Sequence, residues 1–147
     1  MMRIVILPIT FDEVNKYKEQ AEAEGVIYGK KLKWFGIYMT KNHTIDKMLG
    51  FGALAFKKDY AIHKCDFIFP QERGNGYHTK LTEFKNELCF NSSNPVVHIE
   101  ANCTPAAVKT HLNLGAKIVK KFKNGVTQIK YENKSSKKRN RGNKGQD

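Results

Sequence analysis

The segment FIFPQERGNGYHTKLTEF, residues 67–84, decides how the rest of the chain is read. An apolar run ends at Pro70. From Tyr77 the apolar residues recur at helical spacing, with Tyr77, Leu81, Phe84 and Leu88 on one face. A strand therefore hands the chain to a helix across residues 71–76. A helix start carries backbone N–H groups that no residue of the helix accepts. A glycine-rich approach lets an anion come close to them. Arg73 either adds a charged donor or points to solvent. The segment lacks the third glycine of a dinucleotide fingerprint, and no Lys-Ser/Thr follows it as in a nucleotide P-loop. Local pattern alone leaves two readings, an anion cradle and a plain loop.

Upstream, RIVILPIT alternates as a strand, with Pro8 either ending its ladder or placing it at an edge. TFDEVNKYKEQAEAEG reads as one helix, with Thr10 or Asp12 as its cap and Gly25 as its stop. Three strand candidates follow closely, at residues 31–41, 48–58 and 60–70. The second is weakened by Gly50 and Gly52, and residues 42–47 form the turn before it. Such close neighbours pair antiparallel. Downstream, NPVVHIEANC is a strand, and TPAAVKTHLNLG is a helix capped at Thr104, with Pro105 first and Gly115 last. AKIVKKFKNGVTQIKYEN is a hairpin turning at Asn124 and Gly125. The order β-α-β-β-β-α-β-α-β-β excludes a doubly wound sheet and predicts an α/β chain of mixed, α+β-like character with helices on both sheet faces.

The 147 residues suit one domain over 1–133, followed by a basic tail at 134–147 expected to lack structure. Hydrophobic content is 40%, yet no apolar run is long enough to span a bilayer. The N-terminus turns acidic too soon for a secretory signal. A soluble, cytoplasmic protein without a membrane partner is the expectation. Cys65, Cys89 and Cys103 lack paired spacing, so neither a disulfide framework nor a zinc site is predicted. His43, His63, His78, His98 and His111 lack short ligand spacing, and no metal is expected. The net charge of +12 favours anionic partners. The tail, KSSKKRNRGNK within it, suits the phosphate backbone of a nucleic acid, or it serves only solubility.

With these elements in place, the central segment resembles the acyl-CoA-binding motif of the GCN5-related N-acetyltransferase superfamily, Arg/Gln-x-x-Gly-x-Gly/Ala. Read from Gln71, Gly74 and Gly76 satisfy it. Read from Arg73, Gly76 takes the glycine and His78 replaces the final small residue. A second stretch, NCTPAAVKTHLNLGA, is similar to the family segment Asn-x-x-Ala-x-x-x-Tyr-x-x-x-Gly-Phe. Thr104 stands at the Asn, Ala107 at the Ala, Gly115 at the Gly and Ala116 at the aromatic. His111 stands where the family has tyrosine.

The resemblance covers most of the chain and implies a mostly antiparallel central sheet with splayed central strands. It implies the second short helix of the first pair to be reduced or absent. It implies acetyl-CoA as cofactor, with Ile68 and Phe69 along the pantetheine arm. Backbone amides of Arg73, Gly74, Asn75, Gly76, Tyr77 and His78 then hold the pyrophosphate.

The implied reaction is acetyl transfer to a primary amine by direct attack in a ternary complex, without a covalent enzyme intermediate. The amine must lose a proton, the developing oxyanion needs a donor and the departing thiolate takes a proton. By the family's pattern, His111 is the acid. Asp66 and His63 are the candidate bases, on opposite faces of one strand by alternation. A carboxylate serves as base only if burial raises its pKa. Glu100 is a third candidate. The acceptor, a small-molecule or protein amine, is expected against residues 12–29, 42–47 and the final hairpin. Tyr28, Trp34 and Tyr38 line a cleft or pack the core. Two other functions stand beside this one: an acyltransferase directed at nucleic acid, and a non-catalytic protein binding acyl-CoA or nucleic acid on the same scaffold.

Overall fold

The computed structural model describes residues 2–133. The basic tail at 134–147 lies outside them. The chain is a mixed α/β fold with a mostly antiparallel sheet and helices on both faces. It divides into two compact units. The first holds the described residues up to Ala55 together with His63–Lys85, and the second holds Phe56–Ile62 with those from Asn86 on.

In the first unit, β1 (Met2–Ile9) lies outermost and pairs antiparallel with β2 (Lys33–Lys41), which pairs antiparallel with β3 (Thr44–Phe56). Pro8 lies inside β1 opposite Phe35, tolerated because this is an edge strand. The β2–β3 turn is only Asn42 and His43, both left-handed (φ 52° and 68°). Residues 44–47, expected in the turn, belong to β3. Next to β3 runs β4 (Tyr60–Ile68), whose last residues complete this unit.

One face carries α1 (Phe11–Asn15) and α2 (Lys18–Glu22), two short helices where the sequence predicts one. The second helix of the pair, expected to be reduced or absent, is therefore present. The chain bends at Tyr17, whose ring packs 4.8 Å from that of Phe69 and 6.1 Å from that of Phe51. Tertiary packing of an aromatic overrides helical propensity there, and no glycine or proline announces it. Val14 and Ala21 join Trp34, Phe51, Phe67 and Phe69 in the core beneath. Trp34 is thus a core residue, and Tyr28 packs beside it, its hydroxyl donating to Val14 O.

The opposite face takes α3 (Tyr77–Phe90). Phe84 meets Phe35 edge-on, and Tyr77 packs against Ile37, Leu49 and Ile68. The fully buried residues of α3 are Leu81, Thr82, Lys85 and Cys89, the last barely exposed. This stripe is rotated from the expected one and contains a lysine.

In the second unit, residues 60–62 of β4 pair parallel with β5 (His98–Cys103), and the ladder ends at Ile62↔Glu100 although both strands continue. β5 pairs antiparallel with β7 (Thr127–Glu132), and β7 with β6 (Lys117–Lys121). The turn between them is closed by Gly125 at φ 88° and by Val126 N–H donating to Asn124 Oδ1. α4 (Pro105–Asn113) ends at left-handed Gly115, as its sequence predicts, with Ala116 N–H returning to His111 O. Thr10 and Thr104 hold the N-cap positions of α1 and α4, but neither side chain makes a capping bond.

Candidate functional site

The loop after β4 begins with a 3₁₀ turn, Pro70–Glu72. Arg73 is extended, and Gly74 and Gly76 are left-handed at φ 86° and 79°. A Cβ at either glycine would meet no atom within 4 Å. Backbone conformation, not protein crowding, is what demands glycine here. The loop opens α3, whose first turn closes with Lys80 N–H donating to Gly76 O. The amides of residues 77–79 therefore stand ahead of the helical ladder, beside an open glycine face. This cradle fits a phosphate-bearing ligand approaching the backbone.

Side chains fix the loop. Asn75 Nδ2 donates to Glu72 O at 2.9 Å. Arg73 Nε donates to Ile68 O at 2.8 Å, its guanidinium pairs with Glu24 at 2.8 Å and it lies 5.4 Å from the Phe67 ring centroid. Arg73 thus ties the loop to the end of β4 while its side chain stays 43% exposed. Glu72 is buried and receives Lys47 at 3.1 and 2.9 Å.

Behind the loop, α3 is held to the sheet by charge. Lys85 is fully buried and donates to Ala53 O at 3.1 Å and to the Asp66 carboxylate. His78 Nε2 approaches the other Asp66 oxygen at 3.4 Å. Burial pushes the Asp66 carboxyl up, but Lys85, then His78 and His63, outweigh it and hold it well below the ordinary carboxylate range. Gly52 makes this seat possible. A Cβ there would collide with the Asp66 carboxylate and stand 2.9 Å from Leu81 Cδ2.

Between His63 and Asp66, Cys65 departs from regular strand geometry. That residue is left-handed (φ 57°) within β4, and His63 is near enough to contribute to the lowering at Asp66. The pairing with Lys85 lowers the basicity of the Asp66 carboxylate. The Cys65 thiol is pushed up to about 11, first by burial and then by Asp66, and its Sγ lies 3.1 Å from Ile27 O.

In the second unit, His111 is buried, and its Nδ1 lies 2.6 Å from the Tyr131 hydroxyl. Glu100 pairs with His98 at 3.1 Å, and His98 stacks on Tyr60 at 4.8 Å. Among the described residues no cluster of His, Cys, Asp and Glu could hold a metal ion, and no helix is long and apolar enough to cross a membrane.

No protein-family model matches this chain, and no curated protein matches its sequence significantly. Solved structures do. The spermidine/spermine N-acetyltransferase SpeG of Vibrio cholerae, in mutant form, matches over 93% of this chain and 99% of its own, with a TM-score of 0.67 at 13% identity. NAA60 of Arabidopsis thaliana in complex with acetyl-CoA matches over 88% and 98%, with a TM-score of 0.68 at 10% identity. The ribosomal-protein-S18-alanine N-acetyltransferase of Escherichia coli matches over 88% and 94%, with a TM-score of 0.65 at 15% identity. This chain has the GCN5-related N-acetyltransferase fold.

On that fold, the structure brings the expected cofactor residues Ile68, Phe69 and residues 73–78 into one continuous strand end, loop and helix start. His78 faces Asp66 from that helix start, a supporting position. Sequence reasoning missed Lys85, Glu72 and Tyr131. Lys85 carried a signal: it falls four residues after Leu81 and four before Cys89, in line with a buried stripe. Tyr131 carried none, because its partner His111 lies twenty residues away in another element.

Proposed function

We propose that this protein is an acetyl-CoA-dependent N-acetyltransferase acting on a primary amine by direct attack in a ternary complex. The observation that carries the reading is the left-handed Gly74 and Gly76 opening α3 at the end of β4, on this fold. The acetyl-CoA in the Arabidopsis structure supports the choice of cofactor. When bound, acetyl-CoA supplies the activated acetyl group.

The chain's own residues do the rest. Backbone amides of residues 74–78 hold the pyrophosphate, aided by the positive end of the α3 dipole, while that of Arg73 donates to Pro70 O. Main-chain groups of Ile68 and Phe69 line the pantetheine arm. Asp66, pinned by Lys85, positions α3 and His78 and takes no proton from the amine. His63, buried on β4, is the base candidate that needs less tuning than a carboxylate. His111 with Tyr131 supplies the proton for the departing thiolate. The phenol that the family carries on α4 is here a neighbour reached through imidazole Nδ1. The Cys65 thiol, raised to about 11, does not provide a thiolate nucleophile near neutral pH, which agrees with direct attack.

Calorimetry with acetyl-CoA, followed by an acceptor screen reading free CoA thiol, tests the proposal. Binding plus amine-dependent thiol release is expected. Binding without release under any amine pool favours a non-catalytic acyl-CoA-binding protein, and no binding overturns both.

A further inference from the structure

Adjoining the loop after β4, the first unit contains a cavity of about 370 Å³. Ligand cavities run from about 300 to 1,000 Å³, so this one suits a small molecule. Tyr17 and Gln20 line it from the α1–α2 bend, Lys47 and Met48 from β3, and Phe69, Gln71 and Glu72 from the end of β4 onward. Tyr17, Gln20 and Lys47 fall within the regions where the acceptor is expected, and Phe69 is shared with the proposed cofactor arm.

Its wall holds the Lys47–Glu72 ion pair. The Glu72 side chain is 12% exposed and that of Lys47 is 52% exposed. Lys47 Nζ reaches both carboxylate oxygens, at 3.1 and 2.9 Å. An ammonium has three donors, and a carboxylate has about four lone-pair sites. Each member of the pair therefore keeps hydrogen-bonding capacity after satisfying the other. A ligand carrying an ammonium and a carboxylate close together is complementary to that arrangement. Its ammonium completes Glu72 and its carboxylate completes Lys47, so no charge enters the wall uncompensated. A ligand with one charge would leave its opposite unmatched. The rest of the lining divides in the same way. Gln20 and Gln71 offer amides, while Met48 and the tilted Tyr17–Phe69 pair, 4.8 Å apart, offer an apolar surface for a side chain.

We propose that this cavity binds a free α-amino acid with an apolar side chain, its charged end on Lys47 and Glu72. As a ligand class for the expected acceptor region this rests on the acetyl-transfer reading, but binding itself is measurable without acetyl-CoA. The site is tied to the cofactor loop because Glu72 O accepts from Asn75, one residue before left-handed Gly76.

The test is amide NMR titration of the whole chain, without acetyl-CoA, using L-methionine. L-methionine methyl ester and N-acetyl-L-methionine each remove one charge. Saturable shifts at Tyr17, Gln20 and Phe69 with a Kd of about 1 mM or tighter are expected, with both derivatives at least about tenfold weaker. Lys47→Met should weaken L-methionine similarly. Gln20→Trp, at an exposed position of α2 that leaves the ion pair intact, should fill the cavity and abolish binding. No saturable shift with L-methionine, equal binding of either derivative, or unchanged binding in Gln20→Trp overturns the proposal. Acetyl-CoA calorimetry reads the loop at residues 73–78, which does not line the cavity, so either proposal can fail alone.

Discussion

Replacing Lys85 with methionine keeps most of the side chain's volume and removes its charge. The structure sets the size of the effect. Lys85 is fully buried, and the Asp66 side chain is only 13% exposed, so water cannot replace the lost ammonium. Removing one member of a buried pair costs roughly 3–5 kcal/mol, because the other charge stays buried. Ala53 O also loses its donor. At roughly 2–4 °C per kcal/mol for a chain of this size, Tm should fall by about 6–20 °C. The double variant Lys85→Met/Asp66→Asn leaves no buried charge, and its loss should shrink to about 1 kcal/mol, the value of the bond to Ala53. Urea unfolding at pH 7 of the parent, both single variants and the double variant gives the coupling directly. Strictly additive losses, or a loss below about 1 kcal/mol in Lys85→Met, would refute the view that this ion pair seats α3.

Three further outcomes follow from the same geometry. Gly76→Val forces a branched side chain into φ 79°, so acetyl-CoA affinity should fall at least about tenfold while His111→Ala leaves it nearly unchanged; equal affinity of Gly76→Val and parent in calorimetry removes the cofactor from this loop. His111→Ala and Tyr131→Phe should each lower turnover roughly 10- to 100-fold at saturating acetyl-CoA; unchanged steady-state turnover takes the pair out of the proton path. Because the folded Asp66 carboxyl sits below its unfolded value of about 3.9, its contribution to stability is complete above that pH and declines as pH falls below it toward the folded value; denaturant titrations from pH 6 to 2.5 should show Asp66→Asn with a shallower loss than the parent, and parallel curves would contradict the assignment.

Period and punctuation made the element order legible. Gly25, Gly115 and Asn124–Gly125 mark turns whose backbone only such residues adopt at low cost, and each turn stands where it was expected. The glycine-rich turn at Gly74 and Gly76 was legible for the same reason. The failures share another cause. The bend at Tyr17, the left-handed Cys65 and the rotation of the α3 stripe are settled by packing partners distant in sequence. Cys65 offers no local signal for φ 57°, a departure from regular strand geometry between His63 and Asp66. Capping chemistry was legible as position only. Thr104 sits at the cap, but the helix start is held by Pro105 and backbone bonds.

The glycines of β3 show how a local weakness becomes a requirement of the whole. In sequence, Gly50 and Gly52 reduce strand propensity and make β3 a doubtful central strand. In the fold, a Cβ at Gly50 would press on Phe67 O and on Ile68 Cα at 2.8 Å, and one at Gly52 would displace the Asp66 carboxylate. Side chains there would thus push β4 away and unseat the partner of Lys85. Lys85 in turn holds the helix whose first turn presents the loop amides. The strand gives up propensity at two positions so that a charged anchor can lie between sheet and helix. The loop of residues 73–78 is therefore positioned as much by what β3 lacks as by its own glycines.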